Sequence, residues 1–233
     1  MIQMNLSDRL KTISEMIDNN TKTIVDVGTD HGYIPIYLAK NKKINYAIAS
    51  DINKGPVEKA KLNIKNHNLE NMINCRLGGG LTTVKKNEVE VAIIAGMGGN
   101  LIRDIIEDSL DIFRKLEYVI LQPVQNPEVL KEYIYSKGYD ILDEELVKED
   151  GKFYEIFKVR YNNNIKEIEN IYYEISEILL EKKHPVMKEY LSFKLEKYIK
   201  ICDGLKLNSE GSISRKKELE FKVSKIKEFL ECL

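Results

Sequence analysis

The chain has 233 residues, of which 43% are hydrophobic and 31% are charged, with 36 basic and 37 acidic side chains. This composition excludes a disordered chain, and the net charge of −1 excludes a globally basic nucleic-acid coat, although it permits a local basic patch. The length accommodates one sizeable α/β domain and a smaller appendage.

The spacing of the cysteines and the hydropathy pattern indicate the cellular compartment in which the protein is found. Cys75, Cys202 and Cys232 are far apart and show no C-x-x-C spacing, so neither a disulfide framework nor a structural zinc site is expected. The first seven residues contain no basic segment followed by an apolar one, and no apolar run approaches the roughly 20 residues that span a bilayer. We therefore expect a cytoplasmic protein without a membrane segment or a metal site.

Apolar runs and helical periodicities alternate along the first two thirds of the chain. Ser7 or Asn5 is expected to cap the first helix. Short β-branched runs separated by helices of about 10–15 residues are typical of a parallel sheet with crossover helices. The predicted strands are 23–27, 46–51, 72–76, 89–95 and 118–122, and the predicted helices are 5–19, 34–40, 56–67, 100–114 and 128–137.

The last two predicted strands, 139–148 and 152–160, are joined only by residues 149–151, which requires an antiparallel hairpin. A mostly parallel seven-stranded sheet that ends in an antiparallel hairpin is the strand inventory of Rossmann-like S-adenosylmethionine-dependent methyltransferases. A dinucleotide-binding dehydrogenase would normally continue with another parallel unit. The predicted fold class is therefore α/β of the methyltransferase type.

A polar break after Arg160 separates the predicted domains, 1–160 and 161–233. The second domain carries two apolar stripes with a 4, 3 spacing, which predict a coiled-coil-like helical hairpin. Pro185 is expected near the first turn of its first long helix. The hairpin is either a small tail packed on itself or an arm that contacts a large partner, and its nearly balanced charge does not decide between them. The stripes are Leu191, Leu195, Tyr198, Cys202 and Leu205, and Leu219, Val223, Ile226, Leu230 and Leu233.

The segment 26–33, Asp-Val-Gly-Thr-Asp-His-Gly-Tyr, follows the first strand and opens a helix. Glycines here let the backbone approach a ligand that faces the helix N-terminus. Asp30 stands where many methyltransferases carry a second glycine, and an acid at this point suits a cationic ligand better than a pyrophosphate. The alternative is a glycine turn with a helix-capping aspartate.

Four further loops follow the other parallel strands. Asp51 ends the second strand, where a carboxylate accepts the two hydroxyls of a ribose, caps the next helix, or does both. The glycines at 78–80 are expected to lie under the adenine, and 95–100 are expected to line a slot where the acceptor meets the donor. The amides of 122–126 offer neutral contacts to a base edge, or form an ordinary turn. Since ligands bind at the carboxyl ends of parallel strands, the five loops are expected to line one crevice.

The segments 6–10, 26–32, 94–99, 121–123 and 154–156 together resemble the bacterial tRNA (adenine-22-N1)-methyltransferases. The resemblance covers nearly the whole chain and implies a Rossmann-like domain, a helical C-terminal domain that contacts tRNA, and S-adenosylmethionine as methyl donor. One residue departs from the family: the loop after the third strand is R-L-G-D-G-L there, whereas Gly79 replaces the acid here. Backbone or water would then meet the adenine amine, and donor binding would be weaker.

The resemblance and the loops together define the candidate site. The candidate donor-binding residues are Asp26, Gly28, Thr29, His31, Gly32, Asp51, Ile52, Gly78, Gly79, Gly80, Ala95, Gly96 and Met97. The candidate catalytic residues in the acceptor pocket are Asp30, Tyr33, Gln122 and Asn126. The candidate RNA contacts are Arg9, Lys11, Arg103 and the lysines of the C-terminal hairpin.

The expected reaction follows from the chemistry of adenine, whose N1 lone pair is itself a nucleophile. Catalysis then depends on positioning more than on proton abstraction, with acceptors near the cation that develops. Residues 95–98 replace the [N/D]-P-P-[Y/F] motif that clamps an exocyclic amine in N6-methyltransferases. The alternatives are a small-molecule methyltransferase that dimerises through the hairpin, and an RNA-binding module that has lost donor binding. The expected oligomeric state is a monomer or a weak dimer.

Overall fold

The computed structural model describes residues 5–206 and 208–233. Residues 1–4, which form part of the N-terminal segment that was analysed for a signal sequence, lie outside the described residues. The chain divides into two compact units, one that ends at Glu167 and one from Ile168 to Leu233. The boundary between the two units lies a few residues later in the chain than the expected one, because Lys166 still belongs to the first unit. Its ammonium lies 2.5 Å from Asp140 Oδ1, and its backbone N–H donates to the Tyr135 carbonyl.

The first unit contains one seven-stranded sheet in the order β3-β2-β1-β4-β5-β7-β6. Strands β1 to β5 pair in parallel, and β7 pairs antiparallel with both β5 and β6. The predicted fold class is thus confirmed. The strands are β1 (Thr23–Val27), β2 (Tyr46–Asp51), β3 (Ile73–Leu77), β4 (Val91–Gly98), β5 (Tyr118–Gln125), β6 (Tyr139–Glu149) and β7 (Lys152–Tyr161).

The hairpin between β6 and β7 turns through Asp150 and Gly151, whose φ angles are 49° and 74°. An Asp-Gly pair with two positive φ angles suits the two-residue turn that matches the twist of antiparallel strands. This turn explains why the chain reverses at once, and it removes the need for another crossover helix.

Helices fill both faces of the sheet. The Ser7 hydroxyl caps the first one by accepting the Leu10 N–H, as the sequence predicts. The predicted helix over 100–114 is wrong as a single element, because the helix ends at Glu107 and a short one follows from Leu110. The helices of this unit are α1 (Asp8–Glu15), α2 (Tyr33–Lys40), α3 (Lys54–Asn66), α4 (Gly99–Glu107), α5 (Leu110–Phe113) and α6 (Pro127–Ser136), with a 3-10 turn at Gly80–Thr83.

The central strands are buried on both faces, as parallel strands covered by helices must be. A buried ion network joins α6 to β6 and β7. Lys131 on α6 is fully buried, and its ammonium lies 3.1 Å from Glu144 Oε1 and 2.9 Å from Glu155 Oε2. The two carboxylates raise the pKa of Lys131 against the effect of burial, which lowers it. The lysine therefore stays charged and ties α6 to the antiparallel strands.

The second unit is helical, with α7 (Asn170–Glu174), α8 (Glu177–Glu181), α9 (Met187–Gly204) and α10 (Glu210–Cys232). Helices α9 and α10 pack on each other as the predicted hairpin, whereas α7 and α8 are absent from the sequence prediction. Glu174 explains why α7 belongs here: its carboxylate accepts the Tyr198 hydroxyl and pairs with Lys222, which joins α7 to both long helices. None of the helices in the described part of the chain is long and apolar enough to cross a membrane.

Candidate functional site

The carboxyl ends of β1 to β4 open into a cavity of about 590 Å³, which we call the donor cavity. Its position agrees with the rule for ligand sites in parallel α/β sheets. The first four loops singled out in the sequence contribute to it, and the fifth, at 122–126, does not. The lining residues are Val27, Gly28, Asp51, Ile52, Asn53, Gly78, Gly79, Gly80, Thr82, Ala95, Gly96, Met97, Leu101, Ile105, Asp108 and Ser109.

Asp51 and Ile52 form the entrance of the donor cavity. Asp51 Oδ1 accepts the backbone N–H of Asn53 at 2.7 Å, which fixes the carboxylate at the end of β2. Among residues 5–206 and 208–233 no backbone N–H is bonded to the second carboxylate oxygen, so the carboxylate can accept from a pair of hydroxyls. Ile52 is 71% exposed, although it is an apolar side chain, so it offers a surface for a flat ring.

The surroundings of Gly79 show whether the backbone requires a glycine at the one position that departs from the family loop. A Cβ at this residue would lie 3.5 Å from Ile52 Cδ1, an ordinary contact, and its φ of −87° is open to any residue. Gly80 differs, because its φ is +54° and a Cβ would lie 3.1 Å from Ile105 Cγ2. Backbone geometry therefore explains glycine at 80 but not at 79.

Helix α4 and the break after it supply four lining residues that the sequence analysis did not assign to the site. Leu101 and Ile105 lie one turn apart on the same face, and Leu101 is 52% exposed. Asp108 and Ser109 follow at the break between α4 and α5. A helical apolar pair that begins two residues after a glycine-rich loop is the signal by which the sequence could have indicated this wall.

A second cavity of about 310 Å³, which we call the acceptor cavity, lies beside the first. Gly28, Ala95 and Gly96 line both cavities, so the two meet at these three residues. Three small residues at the junction leave room for two ligands to come together. The acceptor cavity is lined by Arg9, Leu10, Asp26, Gly28, Thr29, Asp30, His31, Tyr33, Ile34, Ala95 and Gly96.

Two buried polar groups, on Asp26 and Thr29, line the acceptor cavity. Burial raises the pKa of Asp26 from 3.8 to about 6, the neighbouring Thr29 hydroxyl lowers it, and the Asp51 carboxylate raises it. Thr29 Oγ1 is buried beside the Asp26 carboxylate and makes no well-formed hydrogen bond among the described residues. Its oxygen can accept from a ligand donor such as an ammonium.

The mouth of the acceptor cavity carries Asp30, His31 and Tyr33. The rings of His31 and Tyr33 stack with centroids 4.9 Å apart and an interplanar angle of 6°. Asp30 Oδ2 lies 3.3 Å from His31 Nε2, and Lys59 Nζ lies 4.0 Å from Asp30 Oδ1. Tyr33 is 42% exposed, so one face of this stacked pair is available to a further ring.

The two glycines of the first loop differ in their place, since Gly28 lines both cavities and Gly32 lines neither. The N–H groups of Gly28 and Thr29 both donate to the Ser50 carbonyl, so they join β1 to β2 and do not point at a ligand. Gly28 has a φ of +77°, and a Cβ there would lie 2.2 Å from Met97 Cε. Gly32 lines neither cavity, because it begins α2 against Ala60 and Ile64 of α3. The placement of Gly32 argues against the expected ligand contact.

The two amides predicted for the acceptor pocket do not reach it as expected. Gln122 is fully buried, with its side-chain oxygen bonded to Arg9 and to the Gly96 N–H. Asn126 is exposed, adopts a φ of 53° and begins α6 outside both cavities. Neither is placed to touch a substrate in these cavities, so Asp30 and Tyr33 are the catalytic candidates that the structure brings together.

The three predicted RNA contacts differ in exposure. Lys11 is on the surface of α1 and lies 3.9 Å from Glu15, a pair that solvent screens. Arg103 is on α4 and pairs with its neighbour Asp104 at 2.9 Å. The side chain of Arg9 is only 21% exposed and is engaged by other side chains. Lys11 and Arg103 can therefore meet a phosphate, whereas the guanidinium of Arg9 contacts Gln122 and Glu149 and lines the acceptor cavity.

The residues of the two cavities fit S-adenosylmethionine, which has a sulfonium and an ammonium, two ribose hydroxyls and a flat base. Asp51 suits the hydroxyls, Ile52 and Ile105 suit the base, and Asp26 with the buried Thr29 hydroxyl suits the ammonium. Within residues 5–206 and 208–233, no group of three or more His, Cys, Asp or Glu side chains is arranged to hold a metal ion.

Comparisons of the sequence with known proteins agree with this chemistry. A family profile described as a methyltransferase domain matches residues 6–157. The tRNA (adenine(22)-N(1))-methyltransferase of Bacillus subtilis (strain 168) is 40% identical over 156 residues, which cover 67% of this chain and 65% of that protein. The match thus spans slightly less than two thirds of the relative's length.

Solved structures match over both units. The Bacillus subtilis m1A22 tRNA methyltransferase TrmK has a TM-score of 0.86 and 30% identity, covering 98% of this chain and 100% of that one. Streptococcus pneumoniae Sp1610 in complex with S-adenosyl-L-methionine has a TM-score of 0.83 and 30% identity, over 97% and 100%. Mycoplasma capricolum TrmK in complex with S-adenosyl-homocysteine has a TM-score of 0.82 and 27% identity, over 99% and 99%.

Proposed function

Since this chain belongs to the methyltransferase domain family, we propose that it methylates N1 of adenine 22 in tRNA with S-adenosylmethionine as donor. The observation that carries the proposal is the pair of cavities that meet at Gly28, Ala95 and Gly96. One has the lining of a donor site, and the other is open to a flat ring. The nucleotide and its position come from the Bacillus subtilis relative.

On the donor side, Asp51 would hold the ribose hydroxyls, and Ile52 and Ile105 would pack against the adenine. Asp26 and Thr29 would hold the ammonium. When bound, S-adenosylmethionine supplies an electrophilic methyl group. The small residues of the junction leave the approach to that point free.

On the acceptor side, the chain has to position a base whose N1 already carries a lone pair. The stacked His31 and Tyr33 give the base a flat surface at the mouth of the cavity. A stacked base in folded tRNA has to leave its neighbours first, and stacking on these rings offsets part of that cost. The Asp30 carboxylate at the same mouth stabilises the positive charge that N1-methylation creates on the ring.

The C-terminal unit is the proposed tRNA arm, and Lys11 and Arg103 are proposed phosphate contacts on the first unit. Phosphate contacts release counterions, so the affinity for tRNA should fall steeply as salt is raised. Because the arm carries nearly equal numbers of basic and acidic residues, we expect its lysines to act locally and not as one positive surface.

The deciding experiment transfers a labelled methyl group from S-adenosylmethionine to unmodified tRNA, with the product nucleoside identified after digestion. N1-methyladenosine with a primer-extension stop at position 22 is the expected result. Asp30→Ala should lower the turnover or the donor affinity, whereas the matched surface variant Glu70→Gln, an exposed carboxylate outside both cavities, should change neither.

The two alternative functions predict different failures in the same experiment. Donor binding by calorimetry without transfer to any tRNA would favour a small-molecule methyltransferase. An absence of both binding and transfer would favour an RNA-binding module without activity, and Gly79→Asp would then be the first variant to test for recovery.

A further inference from the structure

The backbone at the junction of the two cavities is irregular. Strands β4 and β5 pair as Ala95 with Gln122 and then as Met97 with Pro123, so the register shifts around Gly96. Gly96 has a φ of +77° and lines both cavities. Bulges of this kind re-aim groups next to active sites, and they are held only where another contact fixes them. The position of Gly96 therefore depends on what binds its backbone.

A side chain holds this bulge in place. The Gly96 N–H donates to Gln122 Oε1 at 3.2 Å. Gln122 is fully buried, and its Nε2 donates to the Pro123 carbonyl at 2.8 Å. Because the oxygen and the nitrogen of the amide both have fixed partners, the side chain has one orientation. The amide cannot turn toward a substrate without leaving the Gly96 N–H unpaired.

Arg9 provides the second partner of the same oxygen. Its Nη1 donates to Gln122 Oε1 at 2.7 Å, a short bond of the charge-assisted kind. Arg9 is in turn fixed at the start of α1: its backbone N–H donates to Glu149 Oε1 at 3.1 Å, and its guanidinium lies 5.3 Å from the centre of the Tyr154 ring. Arg9 thus links Glu149 of β6 and Tyr154 of β7 to the Gln122 amide.

We propose that Arg9 is a positioning residue for methyl transfer, which acts through Gln122 to hold the Gly96 bulge where donor and acceptor meet. The inference rests on the proposed function. It replaces the expectation that Arg9 binds a tRNA phosphate, because the donor atoms that face Gln122 and Glu149 are not available to RNA. A lysine at position 9 keeps the charge but lacks the planar fork that reaches both partners.

The test compares Arg9→Lys and Gln122→Met with the wild-type protein in single-turnover methylation at saturating tRNA and donor. We expect each variant to lower the rate about 10- to 100-fold, because small displacements of a reacting pair have effects of this size. The double variant should be no slower than the worse single one, because both remove the same link. The control is Lys65→Met, which removes an exposed charge outside both cavities and should leave the rate unchanged.

Two further measurements separate positioning from RNA binding. The dependence of tRNA affinity on salt should keep its slope in Arg9→Lys and Arg9→Met, whereas loss of a phosphate contact would reduce the slope by about one in Arg9→Met. Hydrogen exchange of the Gly96 amide should become faster in Arg9→Lys and in Gln122→Met by more than the fall in global stability of each variant accounts for. That exchange readout does not depend on activity.

Three outcomes would overturn the inference: a wild-type rate in Arg9→Lys, unchanged exchange of the Gly96 amide, or a reduced salt slope with the saturated rate intact. The failure of the proposed function has a different signature, since the wild-type protein itself would then transfer no methyl group to tRNA. In that case the exchange measurement still decides whether Arg9 holds the bulge.

Discussion

Asp26 is predicted to reduce the stability of the ligand-free protein in order to bind the donor. Burial raises its pKa from 3.8 to about 6, the Thr29 hydroxyl lowers it, and the Asp51 carboxylate raises it. The shift of about two pH units corresponds to about 3 kcal/mol, because one unit is worth about 1.4 kcal/mol. The folded state binds this proton more tightly than the unfolded state does. The contribution of Asp26 to stability is therefore lost as the pH rises from about 4 through about 6.

Asp26→Asn removes the charge and keeps the size of the side chain. At pH 7.5 the variant should be more stable than the wild-type protein by up to about 3 kcal/mol, which for a chain of this size raises the melting temperature by about 6–12 °C. Near pH 4 the two proteins should unfold alike. The assay is thermal and urea unfolding between pH 4 and 8, with Glu70→Gln as the exposed control.

The same variant should bind S-adenosylmethionine more weakly in calorimetry at pH 7.5, since the ammonium loses its carboxylate. A stability difference that does not change with pH would refute the argument from burial. Stabilisation at pH 7.5 with an unchanged donor affinity would leave the pKa argument intact and would remove Asp26 from the donor site.

Asp51→Asn should weaken donor binding about 10- to 100-fold, the range of about 1.5–3 kcal/mol for hydrogen bonds to a charged group, measured by calorimetry. An unchanged affinity would show that the ribose lies elsewhere. Gly79→Asp should fold normally, since its Cβ meets only the flexible tip of Ile52 at 3.5 Å, and should bind the donor more tightly; a fall in affinity would contradict the assignment of this loop to the adenine. Lys131→Met removes the ammonium that lies against Glu144 and Glu155 and should cost about 3–5 kcal/mol in urea unfolding, and a loss below about 1 kcal/mol would contradict a stabilising role for this ion network.

The sequence by itself determined the class of fold and the loops that form the donor cavity. Strand and helix periodicities are local, and the rule that ligands meet the carboxyl ends of parallel strands converts them into a site without further information. Asp51, Ile52 and the glycines at 78–80 were placed correctly around the donor cavity for this reason. The Asp-Gly turn between β6 and β7 is equally local, since two residues set its geometry.

The residues at which helices end, and the elements against which helices pack, depend on tertiary contacts that are not visible in the sequence. The predicted helix over 100–114 divides at Asp108 and Ser109, which line the donor cavity, so the break belongs to the site and not to the helical periodicity. Helix α7 is too short to give a periodic signal, and its place is set by Glu174, whose partners Tyr198 and Lys222 are distant in sequence.

The polar side chains were the hardest to assign, because a charge or an amide in a sequence looks the same whether it faces water or the interior. Arg9 and Gln122 were expected to meet RNA and substrate, yet they lie 113 residues apart and bond to each other at 2.7 Å. Only the packing of α1 against the end of the sheet brings them together. Burial then decides their chemistry, since a buried hydrogen-bonding group must keep its partner and is not free for another.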